Sequence, residues 1–186
     1  MAATEHRFND TPLPQAIALD ADFVVSVISA SEEFHRPCAS FSADFLSAKV
    51  TIVHSPLLRL EFLNAWQKAV NKGALPKSLL RQQRLWDDPV RDRLAYYNFG
   101  DEYLADFLGL FERYEVRLSN RLQGGTRRIM ALHGLRSMDA CLVACAYQTG
   151  VTDIASLDKD FRRVDGIHLW NDFIPSKRQA RRRQRS

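Results

Sequence analysis

Short apolar runs alternate along this chain with stretches whose apolar residues return every three or four positions. Ala16-Ile17-Ala18-Leu19 ends at Asp20, Val50-Thr51-Ile52-Val53 lies between Lys49 and His54, Val151 to Ser156 precedes Asp158, and Ile167 to Trp170 follows Gly166. Runs of this length read as buried strands. Phe23, Val24, Val27 and Ile28 recur at helical spacing, and Phe41, Phe45 and Leu46 predict a second, short helix. Leu58, Phe62, Ala65, Trp66 and Ala69 mark an amphipathic helix opening at Ser55-Pro56, a capping residue followed by proline. Residues 77–118 read as charged helix, with Asp88-Pro89 and Gly100 as dividing points, and Gly124-Gly125 punctuates a further helix. Ser137 predicts the start of an apolar helix over Met138 to Thr149, and Gly150 sits where a C-terminal cap belongs. Residues 1–15 read as a loose lead-in. Strands alternating with helices predict an α/β sandwich around a mostly parallel sheet, with the charged helical stretch at one edge or projecting as an arm.

Composition narrows the picture. With 186 residues, 46% of them apolar, the chain can bury one sizeable core. No run of eighteen apolar residues predicts a membrane span, and the opening residues lack the apolar centre of a secretory signal, so a cytoplasmic protein is expected. Cys38, Cys141 and Cys145 form no CxxC pair, which removes the usual zinc motif and leaves them as small buried hydrophobes in a reducing compartment. The net charge of +4 is unevenly spread. Lys177, Arg178, Arg181, Arg182, Arg183 and Arg185 crowd the last ten residues, and the remainder carries 20 basic against 22 acidic residues. A polybasic end suits nucleic acid, although it also serves as a solubilising tail.

Four acids stand in places where acids need a reason. Asp20 ends the first strand and Asp158 follows the third. Glu61 projects from the apolar side of its helix, and Asp139 shares a face with Leu142, Val143 and Ala146. Each has a bland explanation: Asp20 as a helix cap, Asp139 as a partner to a helix N-terminus, Asp158 as a turn former. Glu61 is harder to dismiss, because an unpaired buried carboxylate costs several kcal/mol. In a parallel sheet the strand C-termini and the following helix starts meet along one rim, and all four acids map there. Carboxylates gathered without cations repel and take up protons. A divalent ion resolves the conflict, and oxygen-only ligands suit Mg²⁺ or Mn²⁺.

Ile17-Ala18-Leu19-Asp20-Ala21-Asp22, Ser55-Pro56-Leu57-Leu58-Arg59-Leu60-Glu61, His133 to Ala140 with Ala144 and Ala146, and Ser156-Leu157-Asp158-Lys159-Asp160-Phe161 together resemble the PIN-domain family of metal-dependent ribonucleases. The likeness covers roughly residues 16–72 and 120–172 and is greatest to VapC-type toxins and their free-standing relatives. It implies a three-layer α/β/α sandwich, an Mg²⁺ or Mn²⁺ site, an RNA substrate, a homodimer and, for a toxin, a cognate antitoxin protein. It assigns catalytic and metal-binding roles to Asp20, Glu61, Asp139 and Asp158, and supporting roles to Ser156, Asp160, Arg136 and Asp22, with Phe161 packed beneath the last turn. Arg136 would hold phosphate or pair with a nearby acid. Ala21 and Asp22 depart from the family, which often carries Thr or Ser and then Asn or Ser there.

The implied division is a flexible N-terminus over 1–15, a PIN-like domain over 16–174 with a helical insert at about 73–119, and a disordered basic tail over 175–186. Two other readings stand beside it. Asp20-Ala21-Asp22 also resembles the DxD of haloacid dehalogenase-type phosphatases, in which the first Asp is a nucleophile. A non-catalytic RNA- or protein-binding module on the same fold is the third.

Overall fold

A computed structural model describes residues 2–30, 32–71 and 89–172. The apolar residues Leu79, Leu80, Leu85 and Trp86 of the expected helical stretch, and the basic tail, lie outside the described residues.

Six strands appear among the described residues: β1 (Thr4–His6), β2 (Ala16–Leu19), β3 (Thr51–His54), β4 (Arg113–Glu115), β5 (Asp153–Ala155) and β6 (His168–Trp170). They form one sheet in the order β1-β6-β5-β2-β3-β4, and every pairing is parallel. The helices are α1 (Ala21–Ile28), α2 (His35–Ala48), α3 (Leu58–Asn71), α4 (Pro89–Gly109), α5 (Asn120–His133) and α6 (Ser137–Thr149).

Strand alternation separates two cores. Ile17, Leu19, Ile52, Ala155 and Trp170 point to one face, where Phe23, Phe41, Phe45, Phe62, Trp66, Leu104 and Phe107 from α1 to α4 cover them. Ala18, Val53, Ile154 and Leu169 point to the other, against Ile129 of α5 and Leu142, Val143 and Ala146 of α6. This is the expected three-layer sandwich. β2 lies at its centre with Ile17, Ala18 and Leu19 wholly buried, as a central parallel strand requires.

Four details differ from the sequence reading. The lead-in expected to be flexible contains β1, held against β6 by pairing and by His6 stacked on Trp170 at 4.6 Å between ring centroids. β4 lies inside the stretch read as helix, with all three residues exposed, and pairs with β3. Both are polar edge strands, which carry no apolar alternation for a pattern to detect. Gly100 does not divide a helix. It lies within α4, where a Cβ would stand 2.8 Å from Trp66 Cδ1, so the missing side chain lets α4 lie against α3. The helical stretch is not an arm in its described part, since Leu104, Phe107 and Leu108 enter the core.

The remaining boundaries follow local chemistry. Ser55 Oγ accepts the Leu57 N–H at 3.0 Å, but it caps a turn over Pro56 and Leu57, and α3 itself begins at Leu58 rather than at the expected Pro56. Arg136, one residue before Ser137, takes the N-cap position of α6. Gly150 closes α6 at φ 75°, a conformation that costs other residues about 1 kcal/mol. The helix foreseen around Phe41 runs a full 14 residues and leaves Leu46 exposed.

Candidate functional site

Because all strands run the same way, their C-terminal ends open onto one rim, and the following helices begin there. Asp20 occupies the N-cap position of α1 and Glu61 the first turn of α3. Asp139 lies in the first turn of α6, and Asp158 caps the short 3₁₀ turn Lys159–Arg163. The four line a single cleft of about 340 Å³, together with Asp22 and Arg136. Asn64 and Lys68 of α3 complete its wall. Sequence reasoning passed over these two, although positions i+3 and i+7 from Glu61 share its helix face.

The hydrogen bonds distinguish capping from other roles. Asp20 makes no side-chain cap bond to α1. Its Oδ2 instead accepts the Ser156 hydroxyl at 2.5 Å. Ser156 is fully buried, and its Oγ also accepts the Asp158 N–H at 3.0 Å, so one hydroxyl ties the end of β2 to the loop after β5. Asp158 does cap its turn, through Oδ1 to the Asp160 N–H at 2.8 Å. Its Oδ2 accepts Arg136 Nη2 at 2.6 Å, while Arg136 Nε donates to Asp139 Oδ2 at 3.0 Å. Asp160 pairs with Arg163 and Phe161 is wholly buried below, so this turn is braced on both sides. Glu61, half-buried, has no hydrogen-bond or ion-pair partner among the described residues.

These surroundings shift the acids in one direction. Asp20 is raised well above the usual carboxylate range, by burial first and then by Asp22, with the Ser156 bond opposing and Glu61 and Asp139 adding to the rise. Glu61 is pushed up to about 7, by burial first and then by neighbouring charge, Asp139 foremost. Burial also raises Asp139, against the pull of Arg136. Asp22 is raised by desolvation and by Asp158. Asp22 is exposed at the rim, where water screens it, and carries no stability argument.

The site therefore concentrates carboxylates that resist ionising together. Every acidic donor is an oxygen, the type that hard divalent cations take. Among the described residues, no three His, Cys, Asp or Glu side chains stand close enough to enclose an ion in this arrangement. Arg136 is the cation that spans two of the acids instead. The residues fit a hard dication in donor type, charge and unmet electrostatic demand.

The other chemistry-bearing residues lie elsewhere. His54 is buried, with Nδ1 3.3 Å from Ser55 O, and burial lowers its pKa. It lines a separate groove of about 350 Å³ with Arg59, Arg113 and Glu115. His133 Nδ1 lies 3.2 Å from Arg163 O. All three cysteines are buried and free. No single helix among the described residues is long and apolar enough to cross a membrane.

A six-stranded parallel sheet between helical layers, with acids gathered where strand C-termini meet helix N-termini, defines an α/β/α protein with an acidic cleft. The PIN-domain family model matches residues 17–167, and the chain belongs to that family, one of nucleases. Among solved structures, PAE2754 from Pyrobaculum aerophilum shares the fold at a TM-score of 0.53 and 15% identity, over 83% of this chain and 91% of that one. VapC20 of Mycobacterium tuberculosis, a sarcin–ricin-loop-cleaving toxin, aligns at 0.50 and 16%, over 81% and 96%. FitAcB from Neisseria gonorrhoeae aligns at 0.49 and 16%, over 83% and 96%. No curated protein matches the chain.

Proposed function

We propose that the protein is an endoribonuclease dependent on Mg²⁺ or Mn²⁺, with Asp20, Glu61, Asp139 and Asp158 holding the ion and RNA as substrate. The observation that supports it most is the convergence of these four acids on one cleft, with three of them raised by burial and by one another. Convergence of this kind lowers stability unless a cation is taken up, so it has a functional rather than a structural logic.

Bound there, a dication supplies Lewis acidity toward a phosphodiester and a water acidified for attack. The chain's own residues do the rest. Ser156 fixes Asp20, a residue of the cleft wall, through its Oδ2. Glu61 and Asp139 bring carboxylates from α3 and α6. Asp160 and the turn after β5 hold Asp158 in place. Lys68, Asn64 and Arg136 line the same cleft and offer donors to phosphate oxygens. The six basic residues among the last ten would add positive charge for phosphate.

Within the family we read the protein as the toxin of a toxin–antitoxin pair, cytoplasmic and homodimeric, with a cognate antitoxin as its protein partner. The motif resemblance to VapC-type toxins and the fold shared with VapC20 support this. A short reading frame upstream whose product co-purifies with this chain is the expected finding.

The phosphatase reading gives Glu61 no role, yet Glu61 shares the cleft with Asp20. Cleavage of RNA in Mg²⁺ or Mn²⁺ against EDTA, by wild type and Asp139→Asn, tests the nuclease reading. Wild-type cutting should require the ion, and the variant should cut at least a hundredfold more slowly, about the loss expected for one key electrostatic group. Equal cutting by both proteins, or cutting in EDTA, overturns it. If Asp20→Asn and Asp139→Asn both leave the biological effect intact, the non-catalytic binding module takes its place.

A further inference from the structure

Arg136 is placed in the acidic cleft in a way that the nuclease reading does not require. Its backbone is fixed at the rim, because its carbonyl accepts the Ala140 N–H at 2.9 Å and it holds the N-cap position of α6. Its side chain is 70% exposed, yet the guanidinium reaches back into the cleft and binds two carboxylates through two different nitrogens. Nε takes Asp139 Oδ2 and Nη2 takes Asp158 Oδ2. With Oδ1 of Asp158 already accepting the Asp160 N–H, both oxygens of that acid are engaged. The acids without such a cation are Asp20, whose Oδ2 meets a neutral hydroxyl, and Glu61, which has no partner among the described residues.

We infer that Arg136 is a displaceable internal cation that competes with the divalent ion for Asp139 and Asp158. This rests on the metal-site reading given above. A guanidinium satisfies carboxylates by charge and fork geometry, as a dication does by charge and coordination. Arg136 Nη2 already occupies Asp158 Oδ2 on the cleft, and like charges a few ångströms apart repel. Entry of the ion therefore drives Arg136 outward, and its solvent exposure makes that movement cheap. Arg136 acts on the ion through its two partner acids and is a positioning residue in this sense. It keeps the ion-free cleft from expanding or unfolding locally and lowers apparent metal affinity in exchange.

The opposing structural role, in which Arg136 pins Asp139 and Asp158 in ligand geometry, predicts the opposite sign. Calorimetric titration of metal-stripped protein with Mn²⁺ separates them, using wild type, Arg136→Gln and Arg136→Lys. Competition predicts that Arg136→Gln binds Mn²⁺ about fivefold more tightly, the strength of a good exposed ion pair expressed as a ratio. Arg136→Lys, which keeps the charge and loses the fork, should fall between. Unchanged or weaker binding by a folded Arg136→Gln overturns the inference. If wild type and Asp139→Asn take up Mn²⁺ equally, the metal-site reading itself fails, and this one fails with it.

Should Arg136→Gln not fold, the wild-type protein gives the answer by NMR. The Arg136 Nε–Hε resonance should move to the position of a free arginine as Mg²⁺ is added. A resonance that stays still while the backbone amides of Glu61 and Asp139 shift overturns the inference equally.

Discussion

Glu61→Gln isolates the electrostatic cost of the acid cluster. The substitution keeps size and shape and removes the charge of a carboxyl that has no partner among the described residues. In the fold that carboxyl titrates near 7, against an ordinary value of 4.5. The folded state thus binds this proton more tightly than the unfolded chain does. Its contribution to stability is fully present below pH 4.5 and is lost as the pH rises through 7. Once ionised, the group costs the ion-free fold about 3 kcal/mol by linkage, and partial solvent access reduces this to roughly 1–3 kcal/mol. Urea unfolding in EDTA, followed by circular dichroism, should show Glu61→Gln more stable than wild type by that amount at pH 8. The two proteins should converge at about pH 4.5 and below. Saturating Mn²⁺ should reverse the order at pH 8, because ligand binding to the native state stabilises wild type and favours the variant less. A variant equal to or weaker than wild type in EDTA at pH 8 refutes the reasoning. So does a difference that does not depend on pH.

Three other outcomes follow from particular interactions. Ser156→Ala removes a fully buried hydroxyl that donates to Asp20 and accepts from the Asp158 N–H, so urea unfolding should register a loss of about 2–3 kcal/mol, and calorimetry should show weaker Mn²⁺ binding. Gly100→Ala drives a Cβ to within 2.8 Å of Trp66 Cδ1; thermal unfolding should show a loss of about 1–3 kcal/mol, with an altered near-ultraviolet signal from Trp66. Removing residues 175–186 takes away six positive charges and should weaken RNA binding, flattening the logarithmic salt dependence by about 0.7 for every phosphate that the tail neutralises. An unchanged salt slope would show that the tail does not touch RNA.

What the sequence made legible was whatever rests on buried alternation. β2, β3, β5 and β6 could be read because Ile17, Ile52, Ile154 and Leu169 are wholly or almost wholly buried, and their neighbours alternate between two cores. β1 and β4 were invisible because Thr4-Glu5-His6 and Arg113-Tyr114-Glu115 are held by pairing rather than burial. Gly100 was misread because its meaning is tertiary: a helix glycine looks like a break until the indole beside it is known. The acids could be placed on one rim from strand and helix order alone. Which oxygen meets which donor could not, since Ser156 is 136 residues from Asp20 and Arg136 is 22 from Asp158. Asn64 and Lys68 were within reach, by helical spacing from Glu61.

The position of the acids explains how a fold tolerates them. Each of the four sits at the start of a helix or helical turn: Asp20 and Asp158 at N-caps, Glu61 and Asp139 in first turns. A carboxylate there gains about 0.3–1 kcal/mol from the helix dipole, so each position is individually favourable. The parallel sheet forces those same helix starts together, and what helps one acid sets it against the other three. The rise in Asp20, Glu61 and Asp139 shows that burial and repulsion exceed the local gain. Ser156 and Arg136 offset part of the excess with one neutral and one charged donor set. Glu61 receives neither and is pushed up to about 7, and Asp20 stays raised well above the carboxylate range despite its bond to Ser156. The unmet demand thus gathers at Glu61 and Asp20, which is where an arriving cation would gain most.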